Sequence, residues 1–206
     1  YVATENGLAI TQNSGLSYSI IDSSVDGVES DENASVEYLA GENLLITNGT
    51  GVSLSSDFGK TWRYIELGSA LAGSHYNSLI GQVIVYSESS GIFISNDNGQ
   101  TFTSKTTING LLTNTVSSVA ISDDGTIYVS HEDNLSEGAG ISFSTDGGNS
   151  FTAVPLFEND NIRDSEGGTS YPDILHVAVS DNGSVFLATV YGLYVSNDQL
   201  LSFSQA

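Results

Sequence analysis

Carboxylate side chains are the groups in this sequence most able to do chemistry, and they are concentrated in three segments. Residues 21–35, 131–139 and 155–173 contain 13 of the 25 Asp and Glu residues. Clustered carboxylates attract cations and basic partners, and a pair of them can act as an acid and a base. The residues that we predict to bind a ligand lie in the second and third segments: His131, Glu132, Asp133, Asp160, Arg163, Asp164, Glu166 and Tyr171.

The spacing of these residues matches no defined metal-binding loop. The run from Asp160 to Glu166 is rich in oxygen ligands, but it does not have the spacing of a known calcium loop. The three histidines are far apart in the sequence and there is no cysteine, so neither a histidine cluster nor a thiolate zinc site is predicted. We therefore assign no catalytic residue and no cofactor, and Ca²⁺ is the ion that the sequence leaves open.

The charge balance restricts the partners of the chain. Its 206 residues have a formal net charge of −21, which repels nucleic acid and anionic membrane surfaces. No segment approaches the roughly 18 apolar residues of a membrane-spanning helix. The acidic, lysine-poor composition suits a secreted or cell-surface protein. We expect a glycan or protein ligand, no nucleic acid and no membrane insertion.

A repeated eight-residue phrase indicates how the acidic segments are positioned. SSDFGKTW, SNDNGQTF and STDGGNSF begin at residues 55, 95 and 144, and weaker copies surround Asn13 and Asp198. The aligned positions 13, 57, 97, 146 and 198 recur at the period of a four-stranded propeller blade. Short runs of alternating apolar residues, separated by Gly, precede each copy and indicate strands. Each unit is therefore predicted to contain strands A, B and C, then the phrase as the C–D turn, and then strand D.

These units predict one all-β domain over residues 1–206. The first unit begins at strand B, so its blade is incomplete, and the chain is either a five-bladed propeller or part of a larger one. Because an open arc would expose two long sheet edges, we expect a closed ring or an oligomer. The predicted blade repeats are 1–20, 36–67, 76–105, 116–154 and 174–206.

Folding alone explains every position of the phrase. The Asp or Asn accepts backbone N–H groups of the turn, the Gly permits a positive φ, and the final aromatic residue packs between blades. The residues assigned these structural roles are Asn13, Asp57, Gly59, Trp62, Asp97, Gly99, Phe102, Asp146, Gly148, Phe151, Asp198 and Phe203.

The phrase resembles the Asp-box, or BNR repeat, S-x-D-x-G-x-[ST]-[WF]. Asp-box propellers include sialidases, sortilin-type receptors and xyloglucan-degrading glycoside hydrolases, so the resemblance implies the fold more than a function. A self-contained sialidase is disfavoured, because such enzymes hold a carboxylate with three arginines and this chain has only Arg63 and Arg163.

Propeller topology places the phrase and the A–B turns at one end of each blade and the long acidic segments at the other. We therefore predict a non-catalytic, secreted or surface propeller that recognises a glycan or a protein through its acidic long-loop face. The alternative is a glycoside hydrolase that uses two carboxylates, or a fragment of one.

Overall fold

The computed structural model describes residues 1–25, 27–132, 139–156 and 173–206. Five antiparallel sheets follow one another along the chain, and in each sheet consecutive strands are neighbours. We call these sheets blades 1 to 5. Blade 1 has three strands and the other four blades have four strands each, as the sequence predicted.

The strands of blades 1 to 3 are β1 (Val2–Thr4), β2 (Gly7–Ile10), β3 (Ser19–Ile21), β4 (Asn33–Tyr38), β5 (Leu44–Asn48), β6 (Gly51–Ser55), β7 (Arg63–Glu66), β8 (Gly73–Asn77), β9 (Gln82–Ser87), β10 (Gly91–Ser95) and β11 (Thr103–Lys105). Those of blades 4 and 5 are β12 (Val116–Ile121), β13 (Ile127–His131), β14 (Gly140–Ser144), β15 (Thr152–Pro155), β16 (Ile174–Val179), β17 (Val185–Thr189), β18 (Gly192–Ser196) and β19 (Ser204–Gln205). One 3₁₀ turn, Thr107–Asn109, follows β11.

The chain divides into two compact units. Unit 1 comprises Tyr1–Ser87 and Phe93–Thr103, and unit 2 comprises Glu88–Ile92 and Ser104–Ala206. The prediction of one domain over residues 1–206, and that of a closed ring or an oligomer, stay predictions.

Two of the predicted A strands differ from the observed ones. Strands β4 and β8 begin at Asn33 and Gly73, three residues before the predicted starts at 36 and 76. Strand β8 ends at Asn77, and the apolar side chains of Leu79 and Ile80 are exposed in the A–B turn that follows. Blades 4 and 5 begin where the sequence placed them, within one residue.

Within each unit the core lies in the gaps between consecutive blades. In unit 1, Trp62 packs with Leu8, Leu44 and Ile46 between blades 1 and 2, and Phe102 contacts the cluster between blades 2 and 3. In unit 2, Phe203 packs among residues of blades 4 and 5. The aromatic residue that closes these Asp-box turns therefore fills an inter-blade gap.

The Asp-box turns share one hydrogen-bond pattern. In blade 4, Ser150 donates its backbone N–H to Asp146 Oδ1 (3.0 Å) and its hydroxyl to Asp146 Oδ2 (2.6 Å), while Gly148 N donates to Ser144 Oγ (2.9 Å). The pKa of the Asp57 carboxyl falls to about 2, because the N–H and hydroxyl of Thr61 donate to its ionised form in the same way. Each turn contains two consecutive left-handed residues, and the second is Gly15, Gly59, Gly99, Gly148 or Leu200.

Candidate binding site

The predicted site belongs to the end of unit 2 that carries the longest connections. These are the B–C connection of blade 4, after His131, and the D–A connection between blades 4 and 5. Only His131 and Glu132 of the predicted ligand-binding residues can be placed. The others lie outside the described residues: Asp133, Asp160, Arg163, Asp164, Glu166 and Tyr171.

His131 ends strand β13 and is completely buried, with none of its surface exposed. Its Nε2 lies 2.9 Å from Ser142 Oγ, and its Nδ1 lies 3.3 Å from both Thr113 Oγ1 and the Thr115 carbonyl oxygen. Burial lowers the pKa of the imidazole to about 4, so the ring is neutral at neutral pH. Both ring nitrogens therefore have partners within unit 2, and this placement favours a structural role for His131 rather than contact with a ligand.

Glu132 is the next residue and lies at the edge of this buried region. Its side chain is half-buried, and burial raises the pKa of its carboxyl. The negative charges of Glu88 and Asp173 raise this pKa further. Two carboxylates from separate segments of unit 2 therefore act on Glu132 at this end. We call Glu88, Glu132 and Asp173 the acidic patch.

Glu88 was not among the predicted site residues. It lies in the short turn between β9 and β10, whereas the sequence prediction followed the long connections. In every blade the B–C connection lies at the same end of the sheet, whether it is short or long. The strand order alone therefore could have identified Glu88 as a residue at the same end as the connection that follows His131.

The acidic patch can attract positive charge, but it does not form a chelating site by itself. Within the described ranges, no three His, Cys, Asp or Glu side chains are arranged so that they could hold a metal ion. Calcium binding stays a prediction. In the same ranges, no helix is long and apolar enough to cross a membrane.

Comparison with known proteins identifies the fold. No family model and no curated protein matches the chain. Among solved structures, YCF48 bound to D1 peptide matches with a TM-score of 0.63 and 14% identity, over 99% of this chain and 62% of that one. The GH74 enzyme of Niastella koreensis matches with a TM-score of 0.71 and 16% identity, over 97% of this chain and 34% of that one.

The extracellular domain of the two-component system BT3049 from B. thetaiotaomicron has a TM-score of 0.68 and 17% identity, over 97% of this chain and 25% of that one. The chain therefore spans less than two thirds of the length of each of these three proteins. At such identities the likeness concerns the fold alone, and the Asp-box resemblance depends on the repeated residues. This chain has the all-β fold of antiparallel propeller blades that these proteins share.

Proposed function

We propose that this chain is a non-catalytic binding propeller and that the acidic patch binds a basic segment of a protein partner. The observation that carries the proposal is the raised pKa of Glu132 beside the charges of Glu88 and Asp173. Within the described part of the chain, none of the three carboxylates forms an ion pair with a Lys or Arg. An arriving cation would offset their mutual repulsion and favour the ionised form of Glu132.

A basic peptide fits this patch better than a neutral glycan does. A neutral sugar gains nothing from three neighbouring negative charges, whereas Lys and Arg side chains gain both attraction and charge-assisted hydrogen bonds. The match with YCF48 supports the idea that a propeller of this type can hold a peptide, since that structure contains one. The extracellular neighbour, together with the net charge of −21, supports a secreted or surface location.

Binding at the acidic patch can be tested with a fluorescent hexa-arginine peptide and fluorescence anisotropy. Replacing the patch by Glu88→Gln, Glu132→Gln and Asp173→Asn should weaken binding at least about tenfold, if each lost contact is worth about 0.5–1 kcal/mol. High sodium chloride should weaken binding to the unmodified chain more than binding to the triple variant.

A control must remove the same charge elsewhere, because a strongly acidic protein attracts any polycation. The variant Glu42→Gln, Asp123→Asn and Asp181→Asn changes three exposed carboxylates in A–B turns, at the other ends of their sheets. It should bind hexa-arginine nearly as well as the unmodified chain. Equal losses in both triple variants would refute the acidic patch as a specific site.

The alternative of a glycoside hydrolase has one observation in its favour. A carboxyl with a raised pKa beside ionised carboxylates is the arrangement that a general acid requires, and Glu132 has it. Among the fold neighbours, one is described as a GH74 xyloglucanase. Incubation with xyloglucan separates the two functions: release of reducing ends that stops in Glu132→Gln would establish the hydrolase and overturn the non-catalytic proposal.

A further inference from the structure

The gaps between consecutive blades differ at the end that carries the Asp-box turns. Between blades 2 and 3, the turn of blade 3 approaches blade 2 closely, because its fifth position is Gly99. A Cβ built on Gly99 would lie 3.0 Å from Leu45 Cδ1 and 3.5 Å from Leu54 Cδ1. Leu45 and Leu54 are cross-strand partners on β5 and β6, and both are buried. This gap is closed by direct packing of the turn against two leucines.

The corresponding gap between blades 4 and 5 contains a cleft at this end. The cross-strand partners at the same register are Tyr128 and Phe143, on β13 and β14. The turn of blade 5 has Leu200 where the other turns have glycine, in the left-handed conformation (φ 69°) and only 3% exposed. A cleft of about 620 Å³ lies between the aromatic pair and this turn. This volume is within the range of small-molecule sites, about 300–1,000 Å³.

The rim of the cleft provides hydrogen-bond donors whose orientation is fixed. Asn182 Oδ1 accepts from the Ser184 N–H (3.2 Å), and Asn197 Oδ1 accepts from the Ser184 hydroxyl (2.6 Å). Both amides line the cleft, and neither NH₂ group has an acceptor among the described residues. Two donors are therefore held in place and available to a ligand.

The charge of the lining excludes anionic ligands. Asp124 lines the cleft, and hydrogen bonds from the Ser122 hydroxyl and the Thr126 N–H lower the pKa of its carboxyl. Among the described residues that line the cleft there is no Lys, Arg or His. The ionised Asp124 therefore repels carboxylate, sulfate and phosphate groups and accepts hydrogen bonds from hydroxyl groups.

We propose that this cleft binds a neutral sugar ring, which stacks against Tyr128 and Phe143 while its hydroxyl groups bond to Asn182, Asn197 and Asp124. Aromatic faces suit the C–H face of a pyranose, and amide and carboxylate groups suit its hydroxyl groups. A second cleft of about 530 Å³ shares Phe143 and Leu200 and continues along Thr152–Pro155. The site can therefore accommodate an oligosaccharide.

This inference does not depend on the proposed function. The cleft lies at the A–B and C–D turns of blades 4 and 5, whereas Glu132 follows β13 in the B–C connection at the other end of blade 4. Loss of peptide binding at the acidic patch and loss of sugar binding at the cleft can be measured separately in the same variants.

Saturation-transfer NMR with neutral methyl hexosides and with cellotetraose, at millimolar concentrations, tests the proposal. The unmodified chain should transfer saturation to a neutral glycoside and not to glucuronate. The double variant Tyr128→Leu and Phe143→Leu installs the pair of blade 2 and should weaken binding about tenfold or more, because both aromatic faces are lost. Tyr38→Leu, at an exposed tyrosine of unit 1, should bind sugar normally.

The double variant could fail to fold, so its circular dichroism is compared with that of the unmodified chain. Asn197→Asp provides a second variant that keeps the shape, removes one donor and adds a negative charge, and it should also reduce saturation transfer. The proposal is overturned if no neutral glycoside receives saturation, or if Asn197→Asp binds sugar as well as the unmodified chain.

Discussion

At Leu200, the glycine variant should be more stable than the alanine variant, which is the reverse of the usual order of stability. Its φ of 69° is left-handed, and its side chain is 3% exposed in the core between blades 4 and 5. Replacing a buried leucine with alanine lowers the free energy of unfolding by about 2–5 kcal/mol. Because Leu200 borders a cleft, we expect a loss of about 2 kcal/mol for Leu200→Ala. Alanine keeps the left-handed strain of about 1–2 kcal/mol, whereas glycine relieves it.

The glycine variant also loses about 0.5–1 kcal/mol, through the greater entropy of its unfolded chain. The net expectation is that Leu200→Gly is about 0.5–1 kcal/mol more stable than Leu200→Ala. Equilibrium urea unfolding followed by far-UV circular dichroism measures this difference. Fluorescence of Trp62 is unsuitable, because that residue belongs to unit 1.

The neighbouring Leu201 provides the matched control. It is 81% exposed and is not among the residues with positive φ, so ordinary backbone preferences apply to it. There the alanine variant should be the more stable one, by about 0.5–1 kcal/mol. If Leu200→Ala is as stable as Leu200→Gly, or more stable, the left-handed strain assigned to Leu200 is refuted.

Three further predictions concern titratable groups. The folded pKa of Asp57, about 2, lies below the usual value of an aspartate, so Asp57 contributes stability above pH 4 that is lost as the pH falls towards 2. The melting temperatures of the unmodified chain and Asp57→Asn should therefore converge over this range. The folded pKa of His131, about 4, lies below 6.5, so the unfolded chain binds a proton that the folded chain does not. Stability should therefore fall as the pH drops from 6.5 to 4, and it should fall less steeply in His131→Gln. Burial raises the pKa of Glu37 although Ser74 donates to it, so Glu37→Gln should raise the melting temperature at pH 7 and have no such effect in acid. A pH-independent difference between any of these variants and the unmodified chain would contradict the assigned shift.

The order of the strands could be predicted from the sequence because each repeat contains residues that mark its turns and strands. Asp146 and its equivalents mark the C–D turn, and the alternating runs before them mark strands B and C. The starts of β4 and β8 were misplaced because short inner strands contain polar residues such as Ser35 and Ser74, which interact with neighbouring strands instead of forming an apolar alternation.

The candidate sites were harder to predict, because burial and proximity depend on packing between strands. His131 looked like a ligand-binding residue beside two acids, yet β12 and β14 enclose it completely. Glu88 lies 44 positions before Glu132 in the sequence, and only the meander brings their charges together. The missing glycine at Leu200 was visible in the sequence, but its consequence depends on what blade 4 places opposite it.

Departures from the repeat are therefore the most informative positions in this chain. A glycine at the fifth position of the turn lets one blade close on the next, as Gly99 does against Leu45. Leu200 holds the turn of blade 5 in a different packing, and the opposing residues are the aromatic pair Tyr128 and Phe143 rather than two leucines. Four of the five turns keep glycine at this position, and the turn of blade 5 is the exception. The turn that lacks this glycine thus lines a cleft, at the end of the blades where the sequence predicted only scaffold.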